Sequence, residues 1–133
     1  MNAPPQPEIS DATAIRMVKL IRDLDSAIRS LRRLIPAAKP WQRALLAELE
    51  EADRHMQVLR MMEAMEKSDV LIAEATVQLG RACRRVALAV HGSRAEAFVR
   101  SGAVSIAKAA EALTKLVLDA VPDRARDSEV SAR

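Results

Sequence analysis

Aromatic residues are nearly absent from this chain of 133 residues, which has no tyrosine, one phenylalanine and one tryptophan. Glycine is also scarce, and no stretch alternates apolar and polar residues as a half-buried strand does. Without aromatic side chains as stacking platforms, binding of single-stranded nucleic acid by base stacking has little support. The core must be built from aliphatic side chains, and the missing strand pattern predicts an all-α fold.

Cysteine and export signals are equally sparse. The single cysteine, Cys83, excludes an internal disulfide bond, fits a reducing compartment and is predicted to be a buried, inert thiol. The N-terminal segment is rich in proline and has no basic stretch leading into an apolar run, so we predict no signal peptide. No apolar run approaches the ~20 residues that span a bilayer. We therefore expect a soluble cytoplasmic protein of bacterial origin.

Motifs of catalysis and cofactor binding are missing as well. The sequence has no glycine-rich phosphate loop, no nucleophile elbow and no quartet of zinc ligands. Di-iron bundles need a glutamate three residues before a histidine, whereas Ala52 and Leu88 precede His55 and His91 at that spacing. We therefore predict that the protein is not an enzyme and has no catalytic residue, no metal site and no cofactor.

What the sequence does contain is four apolar stripes with helical spacing. The first is the clearest, because its members lie alternately three and four residues apart: Ala14, Met17, Ile21, Leu24, Ile28, Leu31 and Ile35. The other predicted stripes are Leu45, Leu49, Ala52, Met56 and Leu59, then Ile72, Ala75, Leu79, Ala82, Val86 and Val90, and then Ala95, Phe98, Gly102, Ile106, Ala109, Leu113, Leu116 and Ala120. Such heptad-like seams are typical of helical bundles and coiled coils.

Capping residues and prolines set the predicted boundaries of the first three helices. Ser10 or Asp11 can cap helix one, and Pro40 suits the first turn of helix two. Helix two is predicted to end near Lys67, before the capping residues Ser68 and Asp69 of helix three. Since this connection contains neither glycine nor proline, one continuous helix through Ser68 is the alternative.

The fourth helix follows a glycine and a serine. Gly92 can adopt the left-handed conformation that closes helix three, and Ser93 with Glu96 predicts a capping box for helix four. Pro122 is predicted to end helix four. Helices of nearly equal length with short connections favour antiparallel neighbours, so we predict a four-helix bundle with up-down-up-down topology.

Three segments follow from these boundaries. Residues 10–121 are predicted to form the helical bundle domain. Residues 1–9 are predicted to be a flexible proline-rich tail, and residues 122–133 a flexible charged tail.

In this topology many positive charges share one end of the bundle, where helices one and three end and helices two and four begin. This basic end comprises Arg29, Arg32, Arg33, Lys39, Arg43, Arg81, Arg84, Arg85, Arg94 and Arg100. We expect only Glu48 and Glu96 to oppose them. The opposite end is predicted to be acidic, through Asp11, Glu63, Glu66, Asp69, Glu74, Asp119 and Asp123.

The helix dipole explains only part of the basic end. Cations are favoured near helix C-termini, but Arg43, Arg94 and Arg100 lie near N-termini, where the dipole disfavours them. We therefore predict that the arginines of the basic end bind an anionic partner.

Two further groups of residues bear on interactions. Four methionines crowd the end of helix two and are predicted to fill the core or to form an adaptable binding surface: Met56, Met61, Met62 and Met65. A row of small residues on helix four is predicted to pack tightly inside the bundle: Ser101, Ser105 and Ala109.

The function favoured by the sequence is protein–protein interaction, as an adaptor, regulator or structural component that self-associates as a homodimer. Apolar residues beside the seams would supply the dimer surface: Val18, Leu20, Ala27, Leu34, Leu46, Met61 and Met65. The alternative is a small nucleic-acid-binding regulator. In that reading Gly80 makes the turn of a helix-turn-helix unit, or the basic end around Arg81, Arg84 and Arg85 contacts the nucleic acid.

Overall fold

The computed structural model describes residues 11–120, which form four α-helices and no strand. The helices are α1 (Asp11–Leu34), α2 (Pro40–Ala64), α3 (Asp69–Val90) and α4 (Ala97–Ala120). The prediction of an all-α four-helix bundle is confirmed. Both predicted tails, together with Ser10, Pro122 and Asp123, lie outside the described residues.

The helices form a closed ring in which α1 and α3 each pack against α2 and α4. Sequential helices are joined by the short connections 35–39, 65–68 and 91–96. Ion pairs give the direction of α1 and α2, because Asp25 contacts Arg60, whereas Arg32, further along α1, contacts the earlier Asp53. These two helices therefore run antiparallel, as the predicted topology requires.

The seams of α1 and α2 are almost completely as predicted. Every predicted residue of the α2 seam is buried, and so is every predicted residue of the α1 seam except Ala14. In the register fixed by Asp25 and Arg60, Ala14 lies beyond the last residue of α2, Ala64, so no turn of α2 covers it. The α3 seam is buried from Ala75 onward.

The predicted seam of α4 is only partly right, because Ala95, Ile106 and Leu113 are buried as predicted, whereas its other members are not. The buried residues of this helix are Val99, Ala103, Ile106, Ala110, Leu113 and Val117. Phe98, predicted to be in the core, is half-exposed, and the next residue, Val99, takes that place. One residue corresponds to ~100° around a helix. Apolar residues lie on both faces of this alanine-rich helix, so the pattern did not distinguish them. The close approach of α3 favours the face with the small Ala103 and Ala110.

The boundary between α2 and α3 is confirmed. Pro40 is the first residue of α2, which ends at Ala64. Ser68 precedes α3 and its hydroxyl oxygen accepts a hydrogen bond from Leu71 N at 3.4 Å. The alternative of one continuous helix through Ser68 is therefore wrong.

The connection between α3 and α4 follows the prediction only in its first half. Gly92 has the expected left-handed conformation, with φ of 74°. The predicted capping box is wrong, because the Ser93 hydroxyl accepts from Ala95 N at 3.2 Å, two residues along the chain instead of three. Helix α4 begins later, at Ala97, and the carbonyl of Glu96 accepts its first hydrogen bonds.

Gly80 lies inside α3, which continues without interruption from Asp69 to Val90. The turn required by a helix-turn-helix unit is therefore absent from this position. The glycine is explained by packing instead, since a Cβ atom there would be 2.9 Å from Thr114 Oγ1 of α4.

Small residues bring α3 and α4 together, but they are not the predicted ones. Ser101 and Ser105 are exposed and Ala109 is only half-buried, so this row does not pack inside the bundle. Small side chains on the core side of the two helices are buried instead: Ala73, Ala75, Thr76, Ala82 and Cys83 in α3, and Ala103 and Ala110 in α4.

Candidate functional site

A buried carboxylate uses one of the predicted site arginines. Asp25, on α1, is almost completely buried, and its Oδ2 accepts a hydrogen bond from Arg60 Nη1 of α2 at 2.7 Å. Arg29 Nε lies 3.3 Å from Asp25 Oδ1, and Gln57 donates a longer hydrogen bond of 3.5 Å to the same oxygen. A buried charge needs such partners to offset its lost hydration. Arg29 therefore contributes to folding.

The same polar network continues along α1 and α2 to Arg32. Gln57 Nε2 donates to Asp53 Oδ1 at 3.3 Å, and Arg32 Nη1 donates to Asp53 Oδ2 at 3.1 Å. The sequence prediction missed Asp25 and Asp53 as counterions of the basic end. One local signal was present, since Asp25 precedes Arg29 by four residues, the spacing of a helical ion pair.

Two further arginines close the connections that precede their own helices. Arg43 Nη1 donates to the carbonyl oxygen of Ala38 at 2.9 Å. Arg100 Nη2 donates to the carbonyl oxygen of Ser93. These hydrogen bonds give a local structural reason for two of the three cations that the helix dipole disfavours, and leave only Arg94 unexplained.

Four arginines of the basic end remain free. Arg85 Nε lies 3.4 Å from Glu48 Oε2, an exposed pair between α3 and α2. Among the described residues of the basic end, four other exposed arginine side chains form neither an ion pair nor a hydrogen bond: Arg33, Arg81, Arg84 and Arg94. We call these the free arginines. They occupy the last turn of α1, the outer face of α3 and the connection before α4.

Large apolar side chains are exposed at the same end. Leu34, Leu88 and Phe98 are 60%, 61% and 50% exposed, at the ends of α1 and α3 and at the start of α4. Leu34 was predicted to lie beside the α1 seam, whereas Phe98 was predicted to be buried. The basic end therefore combines free positive charge with uncovered apolar surface.

The other end of the bundle carries a second apolar surface. Met56 fills the core, but Val58 and Met61 of α2 are exposed, as is Met65, which caps the C-terminus of this helix. These three residues are spaced by three and four positions and so share one face of α2. Of the remaining residues predicted for a dimer surface, Val18 is exposed, whereas Leu20, Ala27 and Leu46 pack partly against the core.

That end is less acidic than predicted. Exposed cations accompany its carboxylates, in the first half of α1 and after α2: Arg16, Lys19, Arg22 and Lys67. The difference in charge between the two ends is therefore smaller than the acidic residues alone imply.

Neither histidine nor cysteine forms a reactive centre among residues 11–120. His55 Nε2 lies 3.4 Å from Glu51 Oε1, and the described side chains contain no group of three His, Cys, Asp or Glu that could hold a metal ion. Cys83 is buried as predicted, and burial raises the pKa of its thiol to about 12 against an opposing effect of Arg85. A thiol with this pKa is a poor nucleophile at neutral pH.

Membrane insertion has no support in the described helices, since none is both long and apolar enough to cross a bilayer. Comparisons with known protein families, with curated proteins and with solved structures gave no significant match.

Proposed function

We propose that this protein acts through protein–protein interaction, as an adaptor, regulator or structural component, and that its basic end binds an acidic segment of a partner protein. The observation that carries the proposal is the presence of the free arginines at the same end as the exposed Leu34 and Phe98. Protein interfaces are enriched in arginine and aromatic residues, with apolar groups at their centre and polar groups around them.

The apolar residues are what favour a protein over a nucleic acid. An exposed ion pair contributes only ~0–1 kcal/mol, because water and salt screen it. Burial of apolar surface contributes ~25 cal/mol per Å², so a few such side chains outweigh several exposed ion pairs. Nucleic acids present mainly phosphate to a basic surface and would leave much of this apolar area uncovered.

The residue inventory also supports a function without catalysis. Among the described residues, Asp25 and Asp53 each have several partners and hold α1 to α2. The charges of the basic end are mainly cationic, and of its carboxylates Glu48 is paired with Arg85 and Glu96 is exposed. A surface of this kind binds anions but supplies no general acid–base pair.

Self-association is the second part of the proposal. A symmetric contact through the basic end would bring the free arginines of two copies together, which is unfavourable. The exposed face formed by Val58 and Met61 of α2 and by its C-cap residue Met65 has no such excess of one charge, because Arg54 and Glu51, which precede it on the helix, form an ion pair. We propose that two copies form a dimer through this face.

The experiment that tests the proposal is a pull-down with the full-length protein, followed by mass spectrometry and nucleic-acid staining. The parent is compared with a variant in which the free arginines are changed to Gln, and with a control that removes four cations at the other end: Arg16→Gln, Lys19→Gln, Arg22→Gln and Lys67→Gln. We expect the parent and the control to capture the same acidic protein, and the free-arginine variant to lose it. Capture of nucleic acid alone would favour the alternative function instead. Equal capture by all three proteins would refute a role for the basic end.

A further inference from the structure

Leu34 and Phe98 lie at the same level on two neighbouring helices. A Cβ atom at Gly102 would be 3.1 Å from Leu31 Cδ1, so Gly102 of α4 faces Leu31 of α1. Leu34 is one turn after Leu31, and Phe98 is one turn before Gly102. The short connections make each pair of sequential helices antiparallel, so α1 and α4 are antiparallel as well and both steps lead toward the basic end. The two side chains therefore flank the same end of the groove between α1 and α4.

This pair of side chains is not covered by the fold. More than half of Leu34 and half of Phe98 remain exposed, and Phe98 is the only phenylalanine of the chain. The exposure of Phe98 follows from the phase of α4, which puts Val99 in the core and turns Phe98 toward the outer side of the groove. The groove thus ends in two large apolar groups, one on each wall.

The charges around Leu34 and Phe98 indicate which kind of partner can bind there. Arg33 adjoins Leu34, and Arg94 lies four residues before Phe98, and both belong to the free arginines. Glu96 is also exposed between Arg94 and Phe98, so this corner has a net positive charge from the two arginines. A second copy docked symmetrically here would oppose like charges, whereas a partner with carboxylates around an apolar stripe would match both features.

We infer that the α1–α4 groove at the basic end binds an acidic amphipathic helix of a partner protein, with Leu34 and Phe98 as its apolar contacts. The inference rests on the proposed function and names the partner's chemistry. A helix suits the site because helix-in-groove recognition uses apolar residues spaced three and four positions apart, flanked by charges that set orientation. In this complex Arg33 and Arg94 contact glutamate or aspartate residues beside the stripe.

The probe is a synthetic fluorescent peptide of about 18 residues, long enough to form a helix on binding, with Leu and Phe on one face and Glu elsewhere. A scrambled peptide of the same composition keeps the charge but loses the apolar stripe, and duplex DNA supplies phosphate without it. Fluorescence anisotropy compares the parent with Phe98→Ala and Leu34→Ala. The control is Leu88→Ala, which removes an equally exposed leucine at the same end but on α3. Circular dichroism verifies that each variant folds.

We expect the parent to prefer the amphipathic peptide to the scrambled one. Phe98→Ala and Leu34→Ala should each weaken its binding about tenfold, as truncation of a central contact does, and Leu88→Ala should not. The inference is overturned if Phe98→Ala and Leu34→Ala bind like the parent, if Leu88→Ala is equally harmful, or if the scrambled peptide or DNA binds as tightly as the amphipathic peptide.

The two proposals can fail separately. If a protein captured in the pull-down is lost by the free-arginine variant but retained by Phe98→Ala, the basic end binds its partner and the groove is not the site. If both variants retain the captured protein, the proposed function itself fails.

Discussion

The α1–α2 pair and the α3–α4 pair are held together by different interactions. Between α1 and α2, Asp25 and Asp53 connect the helices through Arg60 and Arg32. Between α3 and α4 the helices pack closely at Gly80, where a Cβ atom would lie 2.9 Å from the side-chain oxygen Oγ1 of Thr114. The first interface depends on matched charges, and the second depends on the small size of its residues.

This difference bears directly on function, because it decides which arginines are occupied by folding. Arg29 and Arg32 lie at the α1–α2 interface and have carboxylate partners there. Helix α3 packs on α4 through small uncharged residues, so its exposed Arg81 and Arg84 find no partner within the described part of the chain. The charges that remain available to a partner are therefore the ones that packing did not use.

The largest expected effect comes from the hydrophobic core that both halves share. Leu24→Ala or Leu31→Ala should destabilise the protein by ~2–5 kcal/mol, through lost burial and a residual cavity. Both leucines are buried in α1, so the loss should appear as a lower midpoint of thermal unfolding. An unchanged midpoint for both variants would mean that α1 is not packed through this face.

A smaller loss is expected at the charged interface. Asp25→Asn removes the negative charge that Arg29 and Arg60 share. We expect the free energy of unfolding to fall by ~1–3 kcal/mol, because the two arginines would then face a neutral acceptor at a buried position. Glu51→Gln is the matched control, since Glu51 forms an exposed pair with Arg54. For this control, urea unfolding should give a free energy of unfolding within ~0.5 kcal/mol of that of the parent. Equal losses of stability for the two variants would show that the buried network contributes no more than an exposed ion pair does.

The small-residue interface predicts a loss that a second substitution can restore. Gly80→Ala gains ~1 kcal/mol of helix propensity, but its methyl group meets Thr114 Oγ1, and overpacking costs ~1–3 kcal/mol. We expect a net loss of about 1 kcal/mol. Adding Thr114→Ala should remove the clash and leave the double variant at least as stable as the parent. A Gly80→Ala protein that is more stable than the parent would mean that α3 and α4 are further apart than described.

The smallest effect on stability is expected at the proposed dimer surface. Met61→Glu with Met65→Glu changes two exposed side chains, so the unfolding midpoint of the dissociated chain should stay close to that of the parent. Sedimentation equilibrium at tens of micromolar, an order-of-magnitude choice for a stable interface, should show a dimer for the parent and a monomer for the variant. A parent that is monomeric in this range would contradict the proposed self-association.

The sequence predicted the first half of the bundle better than the second, for a physical reason. In α1 and α2 the apolar residues are mostly leucine, isoleucine and methionine between charged residues, so one face is distinct. In α4 alanine occupies several faces, and the choice between Phe98 and Val99 depends on how closely α3 approaches.

The division of the arginines into paired and free could not be predicted from spacing alone. It depends on register between helices, as in the hydrogen bond between Asp25 and Arg60, which are 35 residues apart. Only the pairs within one helix, such as Asp25 with Arg29, leave a local signal in the sequence.

The central claim is that the free arginines bind the partner while the paired arginines maintain the fold. The most direct test measures the unfolding midpoint and the affinity for the captured partner in two variants. One carries Gln at Arg33, Arg81, Arg84 and Arg94, and the other carries Arg60→Gln. We predict that the first keeps the midpoint of the parent and loses the partner, whereas the second has a lower midpoint and still binds the partner at temperatures where it is folded. A free-arginine variant that binds the partner as tightly as the parent would contradict the account.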